Sequence, residues 1–467
     1  LETAKMANNP VFISGYSAAV FDDKIWLVGI NRNGTFQSGV LYSSDGKSWQ
    51  EMNAPWTPRG AVAVWVFDNK LFMTGGKYSF VENGETKFVY SNDVWAMSKG
   101  EKLKTITAVL ILNISILACF EKVESFSKGI IEIGGMSANR AAHTATLLPD
   151  GKVLLTGGFA GRDKNLASTE IFNPQTNSFS PSGEMQTARI GHSATLLPNG
   201  KVLIAGGFNG GYLDSAEIYD AKTGKFSPAG KMTMPRSEHT AVLLKDGRVL
   251  LAGGVGTGWT FLAEAEIYDP VTNSFAKTGK MTTARESHTA TMLRDGKVLI
   301  TGGHQGRRSA IEIYRSAEIY NPADGTFTAA ADLTVKRHKH AAVLLADGQV
   351  LIVGGSDERD ARGAYTTAEI YNPQRNSFAK VGDMNLPRYK FQGTTILLPD
   401  GKILIAGGAN RAEIYNPQNN SFELVTGDFS SVRLFSTATL LPNGRVLIVG
   451  GYDNNTVVSR QAWIYKS

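Results

Sequence analysis

The stretch Arg140-Ala-Ala-His-Thr-Ala-Thr-Leu-Leu-Pro-Asp-Gly-Lys-Val-Leu-Leu-Thr-Gly-Gly158 decides the fold of this chain. The runs from His143 to Leu148 and from Lys152 to Leu155 flank Pro149-Asp150-Gly151, residues that favour a tight turn. The segment therefore reads as a two-stranded hairpin closed by a glycine doublet. A second hairpin follows, with Thr169-Glu-Ile-Phe172 and Ser178-Phe179 on either side of Asn173-Pro174-Gln175-Thr176-Asn177. The doublet returns at Gly206-Gly207, Gly253-Gly254, Gly302-Gly303, Gly354-Gly355, Gly407-Gly408 and Gly450-Gly451, at intervals of 49, 47, 49, 52, 53 and 43 residues. Ala-Glu-Ile-Tyr recurs from Ala216, Ala265, Ala317 and Ala368. Seven tandem units of four short strands predict an all-β chain, because one twisted sheet cannot bury its faces alone and stacks radially on its neighbours.

Composition agrees. The 467 residues include 50 glycines and 16 prolines, with 42% hydrophobic and 19% charged residues, as in a folded, turn-rich protein rather than a disordered one. The formal charge of +6 is spread without a basic stripe, so no nucleic-acid partner is expected. A single cysteine, Cys119, excludes an intrachain disulfide framework and thiolate-rich metal sites.

The repeats resemble the Kelch family in its bacterial form, in which an Arg-x-x-His-x-Ala-x-Leu-Leu-Pro-Asp-Gly-Lys-Val-Leu segment precedes Gly-Gly. The resemblance covers residues 137–467 and implies a seven-bladed β-propeller over 120–467. The seventh unit stops at Trp463-Ile-Tyr-Lys-Ser467 without a fourth strand. Glu124-Ser-Phe-Ser-Lys-Gly129 mimics Asn177-Ser-Phe-Ser-Pro-Ser-Gly183 and is expected to supply it from the front, leaving no open edge.

Upstream, Met97-Ser-Lys-Gly-Glu-Lys-Leu-Lys104 precedes 14 residues running from Thr105 to Ala118, and then Cys119. A basic start and an apolar run too short to span a bilayer make residues 97–119 a signal-peptide-like segment. Ile116-Leu-Ala-Cys119 resembles a lipobox, which implies lipidation of Cys119, membrane attachment only through that lipid, and a periplasmic or cell-surface location. A buried strand or a short membrane anchor are the alternatives. Residues 1–96 hold Trp26, Trp49, Trp56, Trp65 and Trp95, five of the seven tryptophans, and read as about two Kelch-like blades, a fragment of a different propeller.

Three sets of residues could carry function. His143, His192, His239, His288 and His340 share one repeat position that Phe391 and Ser436 also fill, so they read as structural, and no metal or cofactor is expected. His338 and His340 lie two apart without a third ligand at a telling spacing. Arg140, Arg189, Arg236, Arg285, Arg337, Arg388 and Arg433 precede the innermost strands and are expected to ring the mouth of the central channel. They would bind anions there or pair with the repeated Glu170, Glu217, Glu266, Glu318, Glu369 and Glu413. The loops after each glycine doublet vary within the constant frame, and by the Kelch resemblance they form the ligand face. They hold Phe159, Arg162, Asp163, Tyr212, Trp259, Phe261, Arg307, Arg308, Asp357, Arg359, Arg362, Tyr365 and Tyr452, while the sixth is cut to Ala409-Asn-Arg411. Aromatic anchors mixed with charges suit a protein or glycan partner. No paired acid and base stands out, so a non-catalytic binding or scaffolding role is expected, with a carbohydrate-active enzyme of epimerase or oxidase type as the alternative.

Overall fold

The computed structural model describes residues 5–6, 9–10, 13–14, 17–32, 35–36, 39–45, 48–53, 62–67, 70–74, 77–82, 85–90, 94–98, 104–106, 129–162 and 164–467. Trp56, Cys119, Asp163, the strand residues expected at 124–128 and most of the 97–119 segment lie outside them. The chain divides into two compact units, Leu1–Phe126 and Ser127–Ser467.

In the first unit, Ser17–Phe21, Lys24–Val28, Gly39–Ser43 and Gln50–Asn53 form one four-stranded antiparallel sheet. Trp26 stacks on Tyr42 with centroids 4.8 Å apart and donates its indole N–H to Phe21 O at 2.9 Å. A second sheet comprises Ala63–Phe67, Lys70–Thr74, Val94–Ser98 and Lys104–Ile106. Val94 stands opposite Ile106 and Ala96 opposite Lys104 in this sheet.

The second unit contains seven four-stranded antiparallel sheets. The first consists of Thr144–Leu147, Val153–Thr156, Thr169–Asn173 and Ser178–Pro181, paired in that order, and the next five repeat it. Every second strand, such as Val153–Thr156, is buried along its whole length because neighbouring sheets cover both of its faces. Across strands three and four an aromatic pair recurs, from Phe172–Phe179 with centroids 5.0 Å apart to Tyr415–Phe422 at 4.8 Å. The turns follow their chemistry: Gly151 adopts φ 81°, and Asp150 Oδ1 accepts the Lys152 N–H at 3.1 Å. The doublet is required too. Gly157 has φ 60°, and a Cβ there would stand 2.6 Å from Arg189 O and 2.8 Å from His192 Cε1.

In the seventh sheet, Thr437–Leu440, Val446–Val449 and Ala462–Lys466 are completed by Gly129–Ile133 from the start of the unit, with Gly129 opposite Lys466 and Ile133 opposite Ala462. The sequence places this strand at 124–129; the structure places it at Gly129–Ile133. Ser125-Phe126 imitates Ser178-Phe179, but the distance back from Arg140 sets the register. Each first strand neighbours that of the next sheet, and Thr437–Leu440 lies beside Thr144–Leu147. No helix among the described residues is long and apolar enough to cross a membrane.

Candidate functional site

The arginine column does not ring a channel mouth. Six of its members are 0% exposed. Arg236 Nη2 binds Glu266 Oε1 at 2.7 Å while its Nη1 donates to Gly253 O at 3.0 Å and Glu264 O at 2.9 Å. Arg140–Glu170, Arg189–Glu217, Arg285–Glu318, Arg337–Glu369 and Arg388–Glu413 repeat the pair at 2.7–3.0 Å. Each glutamate also accepts a backbone N–H from the segment that leads to its arginine, as Glu266 Oε2 does from Thr233 N at 2.6 Å. Burial drives the correction: a guanidinium removed from water needs a carboxylate and carbonyls around it, and the repeat supplies both. Arg433 differs, because Trp463 occupies the glutamate position. Its guanidinium carbon lies 4.9 Å from that indole ring, and its Nη2 donates to Gln461 Oε1 at 2.5 Å and Phe429 O at 2.9 Å.

The five histidines of the repeat column are buried and hydrogen-bonded. His192 Nε2 lies 3.2 Å from the hydroxyls of Thr144 and Thr156 in the preceding sheet, and His143 Nε2 lies 3.0 Å from Thr437 Oγ1. Burial first, and the neighbouring arginine charge second, push His143, His192 and His288 down to about 3, so these rings are neutral.

Two residues after each arginine lies a position the sequence reading passed over: Ala142, Gly191, Glu238, Ser287, Lys339, Lys390 and Phe435. All seven are left-handed, with φ between 49° and 59°. Their backbones join sheet to sheet: Ala142 N donates to Phe435 O, Phe435 N to Lys390 O, Lys390 N to Lys339 O, Lys339 N to Ser287 O, and Glu238 N to Gly191 O, all at 2.8–3.0 Å. The constant frame thus holds a short collar of variable side chains around the centre. Their signal was available, because they form a variable column inside the otherwise constant Arg-x-x-His segment.

Over one side of this collar opens a pocket of about 920 Å³. From the collar it takes Glu238, Ser287, Lys339, Lys390 and Phe435, and from the loops Trp259, Phe261, Arg307, Arg308 and Asp360, with Glu286 and His304 between. Four of the sequence candidates therefore come together: Trp259, Phe261, Arg307 and Arg308. Trp259 is 56% exposed, and its φ of 64° puts a bulky residue in a conformation it rarely adopts. Arg307 lies over its ring at 3.9 Å and reaches Glu286 Oε2 at 3.2 Å, while Tyr212 meets the indole edge-on at 5.9 Å. Tyr452 touches the site through its hydroxyl, 3.3 Å from Lys390 Nζ. The other candidates stand apart. Asp357 and Arg359 bind each other at 2.5 Å, Phe159 bridges to Ala141 and Asn165, Arg162 is exposed on its loop, and Tyr365 lies against Arg337 at 5.8 Å. Neither Arg362 nor the shortened sixth loop lines the pocket.

The electrostatics are uneven. Burial and the nearby Glu286 carboxylate push the Glu238 carboxyl up to about 7 against the pull of Lys339, Arg307 and Lys390. Lys339 Nζ binds Asp360 Oδ1 at 2.5 Å. His304 and His338 meet through their Nδ1 atoms at 3.0 Å. His338 Nε2 donates to Asp357 O at 3.3 Å, so its Nδ1 accepts and His304 Nδ1 carries the shared hydrogen. His304 Nε2 then stands 3.3 Å from Glu286 Oε1. Among the described residues no group of three or more His, Cys, Asp or Glu could hold a metal ion.

Sheets of this kind, repeated radially and carrying a pocket on the loop face, define the chain as a β-propeller protein. Residues 140–186, 191–233 and 337–385 match the Kelch motif, so the chain carries Kelch repeats. Among solved structures it is similar to a chain described as a novel fungal alcohol oxidase with catalytic diversity among the AA5 family, in complex with copper. The identity is 18% and the TM-score 0.58, over 73% of this chain and 76% of that one. At that identity the likeness is one of fold.

Proposed function

We propose that the second unit is a closed seven-bladed propeller that binds a glycan through its loop-face pocket without transforming it. The observation that carries this reading is Trp259, an exposed indole held in a left-handed conformation at the lip of a pocket lined by acids and bases. Sugars present apolar faces to aromatic rings and hydroxyls to charged groups, and a loop residue kept in a costly conformation is the kind a binding site retains. Closure is supported by the Gly129–Ile133 strand and by the contact between the first and seventh sheets. A glycan array probed with the full chain tests the reading: Trp259→Ala is expected to abolish a signal that the parent gives. Capture of a glycan equally well by both proteins counts against it.

One observation favours the enzymatic alternative. Glu238, with its carboxyl near 7 beside Glu286, is suited to proton transfer. Chromatography of the bound glycan after prolonged incubation discriminates, since turnover lost in Glu238→Gln would make the protein an enzyme.

The sequence pattern of residues 97–119 further supports export and lipid attachment at Cys119, as in a bacterial envelope lipoprotein, with residues 1–96 a fragment of another propeller.

A further inference from the structure

The charges of the pocket do not all find partners. Arg307 is matched by Glu286 and Lys339 by Asp360. Among the described residues, Lys390 has no carboxylate at ion-pair distance. Its Nζ donates to the Tyr452 hydroxyl and otherwise faces aromatic rings, with the centroids of Tyr389, Phe435 and Tyr452 at 5.3, 5.6 and 5.8 Å. An ammonium carries three N–H donors, and one hydroxyl satisfies one of them. Glu238, in the same collar, has no hydrogen-bond donor among the described residues, although its carboxylate oxygen lies over Gly191 at the edge of the pocket. A half-buried ammonium with no carboxylate at ion-pair distance, on which Asp360 and Glu238 act only from farther off, and a carboxyl group without a donor thus face one cavity.

We propose that the pocket is built for a carboxylate-bearing sugar, whose carboxylate rests on Lys390 and whose hydroxyls donate to Glu238. This rests on the glycan reading above and adds the class of glycan. The aromatic rings crowd the half-buried ammonium, so a charge-assisted bond to an arriving carboxylate is stronger there than on an exposed lysine. Burial already lowers the pKa of Lys390 below the usual lysine value, a cost that a bound anion relieves. A neutral sugar leaves Lys390 with only the longer-range pull of Asp360 and Glu238. A sugar carrying only an anion, without hydroxyls in reach of Glu238, leaves the acceptor unmatched.

The test is an array of uronic-acid glycans printed beside their methyl esters, which differ only in charge, with neutral glycans as a third set. The full chain is expected to bind acids about tenfold more tightly than esters. Lys390→Met should erase that difference, and Lys390→Arg should keep it, which separates loss of charge from loss of fold. Added salt should narrow the gap. Equal binding of acids and esters, or a preference that survives in Lys390→Met, overturns the acidic-sugar assignment while leaving glycan binding intact. Failure of every glycan to bind overturns the underlying reading as well.

Discussion

Replacing Arg236 by methionine leaves the buried Glu266 carboxylate facing carbonyl oxygens with its counter-ion gone. Breaking such a pair from one side costs about 3–5 kcal/mol, so Arg236→Met should show a large loss in denaturant unfolding. Adding Glu266→Leu should recover only part of it, because the Thr233 and Met234 N–H groups then lose their acceptor. A single variant as stable as the parent would remove the structural role assigned here. The histidine column makes a pH prediction. His288 is neutral in the fold down to about 3, whereas the unfolded chain protonates it near 6.5. Above 6.5 neither state takes up the proton and the stability is full. As pH falls from 6.5 toward 3 the unfolded state alone binds it, and stability is lost. Phe391 already fills this position in the sixth sheet, fully buried. His288→Phe should therefore fold and lose less Tm than the parent between pH 7 and pH 4; an unchanged slope would rule the mechanism out. Glu238 acts in the opposite sense: its contribution is complete below about 4.5 and is lost as pH rises through about 7, so the comparison belongs in a Glu238→Gln background.

At the scale of the element, Gly129–Ile133 shows what the sequence could and could not convey. That the last sheet takes its fourth strand from the front of the unit was legible from the likeness of Glu124-Ser-Phe-Ser-Lys-Gly129 to Asn177-Ser-Phe-Ser-Pro-Ser-Gly183. Its register was not legible from the Ser-Phe imitation, because Ile130, not Phe126, takes the place opposite Tyr465 that Phe179 takes opposite Phe172. Counting eleven residues back from Arg140, as Ser178 stands before Arg189, gives Gly129. Side-chain type was degenerate here, whereas distance from a buried anchor was not. Ile130 N donates outward to Thr426 O at 2.9 Å, so by alternation the Ile131 N–H faces Ala462–Lys466. Ile131→Pro should strip a ladder bond from the seventh sheet and lower the amide-exchange protection of Ala462–Lys466. Glu132→Pro, whose nitrogen points away from that strand, should disturb the ladder less. Equal loss in both variants would contradict the assigned register.

Across the whole molecule, the constant positions build the frame and the variable ones meet at the centre. The repeat made the seven sheets readable from sequence, because each Arg–Glu pair, histidine and glycine doublet is solved within one unit or between neighbours. The pocket was only half readable. Trp259, Phe261, Arg307 and Arg308 sit in loops that vary in length, but Glu238, Lys339, Lys390 and Phe435 come from separate units and converge only because the repeated sheets curve around a common side. The lipid proposed for Cys119 would hold the protein at a membrane. Among the described residues no helix is long and apolar enough to cross a membrane, and the charge of +6 is spread over the chain rather than gathered in one basic stretch. In a bacterial host, the full chain should partition with membranes and incorporate labelled fatty acid, and Cys119→Ser should be unlabelled and recovered in the soluble fraction with its pocket intact. Label retained after that substitution, or membrane partition without any label, would place the attachment elsewhere in the chain.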